Sequence, residues 1–108
     1  MDRIMDKRSR NLTPVTLDEL RTRRAEILLL ARAHKAARVR LFGSVVRGDQ
    51  RENSDVDFLV DFEPGASALD QVGLVQELTE LLGVPVEVIS AGGLEPRHEG
   101  IRQEAIDL

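Results

Sequence analysis

Apolar positions along this chain switch between a helical and a strand period, and the switches mark its elements. Leu17, Leu20, Ile27, Leu28 and Ala31 recur at helical spacing. Thr16 and Glu19 stand ahead of them as a capping box, so a helix is expected from Thr16 to about Lys35. Its outer face carries Arg21, Arg23, Arg24 and Arg32. Val39, Leu41 and Phe42 predict a short strand, which Gly43-Ser44 breaks, and Val45, Val46 and Arg47 then form a brief helix. Gly48 to Ser54 is polar and aperiodic, as a loop is. Asp55 to Asp61 alternates apart from Leu59. That pattern predicts a second strand with Val56, Phe58 and Val60 on one face and Asp55, Asp57, Leu59 and Asp61 on the other. After a turn at Pro64-Gly65, Ser67 and Asp70 cap a helix with the stripe Leu69, Val72, Val75, Leu78, Leu81 and Leu82, and Gly83 ends it. Val84 to Ile89 predicts a third strand and Arg97 to Leu108 a last short helix. The order α-β-α-β-α-β-α is that of an α/β domain, a small mixed sheet with flanking helices.

Composition narrows this picture. The 108 residues fit one small domain, and 42% hydrophobic residues suffice for its core. With three Phe and no Trp or Tyr, that core must be aliphatic. Residues 1–13 carry little apolar content and are expected to form a mobile basic arm, leaving 14–108 as the domain. The basic N-terminus lacks the apolar stretch of a secretory signal, and no run approaches the ~18 apolar residues of a membrane span. A cytoplasmic protein is expected. There is no cysteine, so disulfides and thiolate metal sites are excluded, and zinc is disfavoured because only His34 and His98 remain as soft ligands. His34 is expected to have a structural role near a helix C-terminus, and His98 to lie on the surface. Charge is unevenly spread. Residues 1–40 hold eleven Lys/Arg against five Asp/Glu, and residues 41–108 hold four against fourteen. A basic half fits a solvated helix face plus arm, or else an acidic partner, a nucleic acid or nucleotide phosphates.

The candidate chemistry lies between Gly43 and Asp61. Asp55 and Asp57, two apart on a strand, leave the same face with Cα atoms ~6–7 Å apart. Carboxylates this close repel each other, and a bound divalent cation relieves the repulsion. Two such ions can clamp the attacking and leaving oxygens of a phosphoryl-type displacement. A third carboxylate is expected at Glu87, which alternates with Val86 and Val88 on the third strand and so points away from the core. Gly43 lets backbone approach a phosphate, the helix opening behind it presents free N–H groups, and Ser44 adds a hydroxyl donor. Arg47, one turn on, is placed to reach phosphate oxygens or a site carboxylate. Taken singly, a Gly-Ser is a turn and an Asp-x-Asp a solvated strand edge; together, with strand, turn and helix between them, they specify a site. Asp61 shares the face but lies further off and is expected to be a surface residue, and Asp49, Arg51 and Glu52 are read as loop solvation.

These residues resemble the nucleotidyltransferase superfamily that includes DNA polymerase beta, whose hallmark is Gly-Ser, then Gly, then Asp-x-Asp, with a third acidic residue on a later strand. Here it reads Gly43-Ser44, Arg47-Gly48 and Asp55-Val56-Asp57. The resemblance is closest to the minimal nucleotidyltransferases and covers roughly Leu17 to Leu108. It implies a single minimal domain of nucleotidyltransferase fold, Ser44 on the triphosphate of ATP, and Asp55 and Asp57 on two Mg²⁺ ions. Glu87 would take the third acidic position, more often Asp in close relatives. It also implies a HEPN-type toxin as partner, with AMP moved from ATP to a toxin tyrosine so that the chain acts as an antitoxin. The absence of tyrosine here means such an acceptor must lie in another molecule. The alternatives are an antitoxin that neutralises by binding alone and, from a different class, a small-molecule nucleotidyltransferase. Polymerisation on a nucleic-acid strand is disfavoured by the acidic site half and the lack of aromatic stacking residues.

Overall fold

The computed structural model describes residues 15–51 and 54–108. The expected basic arm and Glu52 lie outside these residues. Thr16 opens the first helix as expected: its hydroxyl accepts the Glu19 N–H at 3.1 Å, and the Glu19 carboxylate accepts the Thr16 N–H at 3.1 Å. The single helix expected from Thr16 to Lys35 is in fact two, α1 (Leu17–Thr22) and α2 (Arg24–Ala33). Arg23, at the break, sends its guanidinium to the carbonyl of Leu81. The helix stops short of Lys35 because that residue takes a left-handed conformation, φ 63°. Its carbonyl then accepts the Glu63 N–H at 2.8 Å, which steers the chain into the sheet.

The strands are β1 (Ala36–Phe42), β2 (Val56–Phe62), β3 (Val86–Ser90) and β4 (Ile106–Asp107), in the order β3-β2-β1-β4. β1 runs antiparallel to both β2 and β4, and β2 runs parallel to β3, so the sheet is mixed. The parallel pair is joined by the crossover helix α4 (Ala68–Leu82), which Gly83 ends in a left-handed conformation at φ 73°. Between β1 and β2 lies the one-turn helix α3 (Ser44–Arg47). The C-terminal stretch departs from expectation. It comprises two 3₁₀ turns (Ala91–Gly93 and Pro96–His98), the helix α5 (Glu99–Glu104) and then β4. Ile106 and Asp107 therefore pair with Leu41 and Arg40 rather than extending a helix to Leu108.

The register gives the sheet two distinct faces. Val39, Leu41, Phe58, Val60 and Val88 pack against Leu20, Ile27, Ala31, Leu74 and Leu78 of the helices, forming the aliphatic core. The opposite face carries a smaller cluster of Phe42, Leu59 and Ala91, covered by Ile101 and Ala105 of the C-terminal segment. Asp57 and Glu87 pair across β2 and β3 on that second face, beyond its apolar cover. The stripe of α4 needs correction. Leu74 and Leu78 are buried, whereas Leu69 and Val72 are 81% and 52% exposed, because the helix turns its Leu74 side to the sheet. Replacing Leu78 by Ala is expected to cost about 3 kcal/mol of stability by urea denaturation. Replacing the equally leucine-like but exposed Leu69 should cost less than about 0.5 kcal/mol.

Candidate active site

The site is built where β1 ends and β2 begins. Phe42 is paired with Asp57, so the residue after Phe42 must leave the sheet directly beside the Asp57 side chain. Gly43 does so with φ 81° and ψ −154°, a backbone conformation that residues with a Cβ rarely adopt. A Cβ at this position would lie 2.3 Å from Oδ2 of Asp57. Glycine is thus required twice over, by its dihedral angles and by the closeness of the carboxylate. Behind it, the carbonyl of Gly43 accepts the N–H of Val46 at 3.1 Å and that of Arg47 at 3.2 Å, closing α3. Gly48, at φ 78°, turns the chain out of that helix.

Asp57 is half-buried, and across the parallel register Glu87 stands within hydrogen-bonding reach of it. Burial first, then the hydrogen bond and charge of Glu87, and then the charge of Asp55, push the Asp57 carboxyl from an ordinary 3.8 up to about 6; Arg47 opposes the rise. The crowding disfavours a charge on Asp57, so this carboxyl gives up its proton later than an ordinary aspartate does. Asp55, just before β2, is exposed, but its charge is felt by Asp57. The structure therefore brings Asp57, Glu87 and the Gly43 turn together, with Asp55 at the margin and Ser44 half-buried at the start of α3.

Arg47 does not pair with the predicted acids. Its Nη1 meets Oε2 of Glu104 at 2.8 Å, and its Nε meets Oδ2 of Asp49 at 3.3 Å. Asp49, expected to be solvated loop, is thereby part of the Arg47 contacts. Glu104 is a residue that motif spacing passes over. It also accepts the Gly43 N–H at 2.8 Å. The signal available for it is slight: a carboxylate in the last turn of a helix, where the helix dipole disfavours negative charge. Asp61 pairs with the half-buried Arg40 at 3.3 Å. His34 packs on Gly73 and meets Glu77 at 3.1 Å, a structural contact as expected. His98 accepts the Glu95 N–H at Nδ1.

Hard oxygen donors crowded closely enough to raise the Asp57 carboxyl suit a hard divalent cation such as Mg²⁺, which would compete with the Asp57 proton. Among the described residues no three acidic, histidine or cysteine side chains converge into a ready-made metal cluster, so Asp55 would have to turn inward to complete one.

The raised carboxyl makes a stability prediction. Asp57 binds its proton more tightly in the folded state, so its stabilising contribution is full below about pH 4 and is lost as the pH rises through about 6. Asn in its place removes the charge and can donate to Glu87. Asp57→Asn is expected to melt a few degrees above the parent at about pH 7.5, with the difference vanishing near about pH 4 in pH-dependent thermal melts.

Comparison with known proteins agrees with this fold. A model of the nucleotidyltransferase domain matches residues 18–107. A Methanocaldococcus jannaschii protein named as a protein adenylyltransferase is 38% identical over 95 residues, covering 87% of this chain and 99% of the relative. The protein adenylyltransferase MntA of Thermococcus cleftensis is 46% identical over 55 residues, covering 51% of this chain and 56% of that one. A solved structure named as a minimal nucleotidyltransferase superposes with a TM-score of 0.77 at 49% identity, covering 87% of this chain and 97% of the other. A crystal structure of a toxin-antitoxin with AMP-PNP shares the fold, with a TM-score of 0.66 at 23% identity over 77% of this chain and 69% of that chain. Sequence and fold agree over most of the chain's length: it belongs to the nucleotidyltransferase domain family and is a nucleotidyltransferase of the minimal kind.

Proposed function

We propose that this chain transfers AMP from ATP to a hydroxyl, a tyrosine of a HEPN-type toxin, and so acts as that toxin's antitoxin. The observation that carries it is the contact between the Gly43 turn and Asp57. It sets a glycine turn suited to phosphate against a carboxylate suited to a cation. The relatives named as protein adenylyltransferases support a protein as acceptor. The chain itself holds no tyrosine, so the acceptor comes from the partner.

In this proposal Gly43 lets the triphosphate approach the backbone, and Ser44 donates its hydroxyl to a phosphate oxygen. Asp55, Asp57 and Glu87 would hold Mg²⁺, as two ions, which when bound would neutralise phosphate charge. The tyrosine hydroxyl attacks the α-phosphorus in line. An oxygen–phosphorus bond forms, the bond to the β-phosphate breaks, and pyrophosphate leaves. The hydroxyl proton goes to a carboxylate. Asp57, the carboxylate nearest the attacking hydroxyl by its position in the motif, is the group proposed to take it. Catalysis is otherwise a matter of positioning and charge.

The test is to incubate the chain with its HEPN-type genomic neighbour and ATP, then to weigh the neighbour by mass spectrometry. The expected result is a gain of one AMP on a tyrosine-containing peptide, and binding of the pair with no added mass defeats the proposal. Asp57→Asn should lower transfer at least about 100-fold, and Ser44→Ala about 10-fold. At limiting Mg²⁺ the rate should rise with pH through about 6, because the cation has to displace the Asp57 proton to bind, and saturating Mg²⁺ should flatten that rise. Glu87 is one methylene longer than the Asp usual at this position, which favours a second reading: neutralisation by occlusion alone. Asp57→Asn separates the two, since an occluding antitoxin keeps protecting cells without catalysis.

A further inference from the structure

We infer that Glu104 is a positioning residue for the transfer reaction, holding the Gly43–Arg47 turn in register with Asp57. This rests on the function proposed above. The carboxylate spans the turn: Oε1 accepts the N–H of Gly43 at 2.8 Å, where the turn begins, and Oε2 meets Nη1 of Arg47 at 2.8 Å, where it ends. Gly43 needs such a tether. It has no side chain to lodge in the structure, it sits at φ 81°, and Glu104 is the acceptor for its N–H among the described residues. A glycine at a functional turn is otherwise the loosest point of the backbone.

The placement of Glu104 is not explained by the needs of its own helix. It is the last residue of α5, where the dipole disfavours an anion. Hydrogen bonds from Arg47 and from the Gly43 N–H nevertheless hold it below the ordinary carboxylate range. Nor is it required to dock the C-terminal segment. Ile101 and Ala105 are packed on the Phe42–Leu59 cluster, Arg102 donates to the Ala91 carbonyl at 2.8 Å, and Ile106 pairs with Leu41. The segment has its own attachments, and Glu104 reaches beyond them to the turn. Through that turn it sets where the phosphate-facing backbone stands relative to the Asp57 carboxylate, although it touches no reacting atom itself.

The experiment measures AMP transfer to the HEPN-type neighbour at varied ATP for Glu104→Gln, Glu104→Ala, Arg47→Ala, the double variant Glu104→Ala/Arg47→Ala and Arg38→Ala. Glu104→Gln keeps the shape and an acceptor for Gly43 but loses the charge facing Arg47. Arg38→Ala breaks the 3.0 Å pair with Asp107, another attachment of the same C-terminal segment, away from the turn. The expected result is a fall in kcat/KM for ATP of about 10- to 100-fold in Glu104→Ala and a smaller fall in Glu104→Gln. The double variant should be little worse than the worse single one, and Arg38→Ala unchanged. Glu104 variants that transfer AMP at the parent rate overturn the inference and leave the proposed function standing. So does a loss in Arg38→Ala equal to that in Glu104→Ala, which would make Glu104 one more anchor of the segment. A parent protein that binds the neighbour but transfers no AMP overturns the proposed function and this inference with it.

Discussion

Asp57 and Gly43 lie so close that a single added carbon would collide with the carboxylate, and most of the site follows from that closeness. It ties the pairing of β1 with β2 to the chemistry, because Phe42 and Asp57 must be opposite each other for the turn to leave at the right place. It also sets the local electrostatics. A carboxyl pressed against backbone and partly withdrawn from water, with Glu87 beside it, keeps its proton to about pH 6. The same crowding that would destabilise an ordinary strand is tolerated here. The large aliphatic core on the opposite face holds the sheet together without help from these residues.

The division of labour between the two faces is visible in the alternation of β2. Phe58 and Val60 are fully buried under α2 and α4, while Asp57 looks out from the other side with Leu59 behind it. Leu59 belongs to the smaller cluster, which is buried with Ile101 and Ala105 of the C-terminal segment against it. The acidic residues of β2 and β3 stand beyond that cover. A sheet buried on both sides along its whole length would have left no room for them, and one bare on the second face would have left Phe42 and Leu59 in water.

The strand of aspartates and the glycine turn are legible in the sequence because their signals are local: a period of two, and a residue type demanded by its backbone. The capping of α1 and the Gly83 stop are legible for the same reason. What escapes is set by distant partners. The break at Arg23 carries no proline or glycine and goes with a bond to the Leu81 carbonyl, 58 residues away. The apolar residues of α4 admit more than one phase, and only the sheet chooses Leu74 over Leu69 and Val72. β4 is two residues long, too short for any pattern, and Glu104 looks like a surface charge until the fold brings it to Gly43.

The antiparallel pairing of β4 with β1 has a consequence for the order in which the chain can assemble. The β1–β2 pair closes over a short connection, so the Gly43 turn and Asp57 can meet early. The contacts made by Glu104 reach back 61 residues to Gly43 and 57 to Arg47, and closing such long loops carries a larger entropic cost. The Gly43 turn is therefore expected to meet Asp57 before the segment that clasps it has joined the sheet. The tether made by Glu104 belongs to the last stage of assembly rather than to the first.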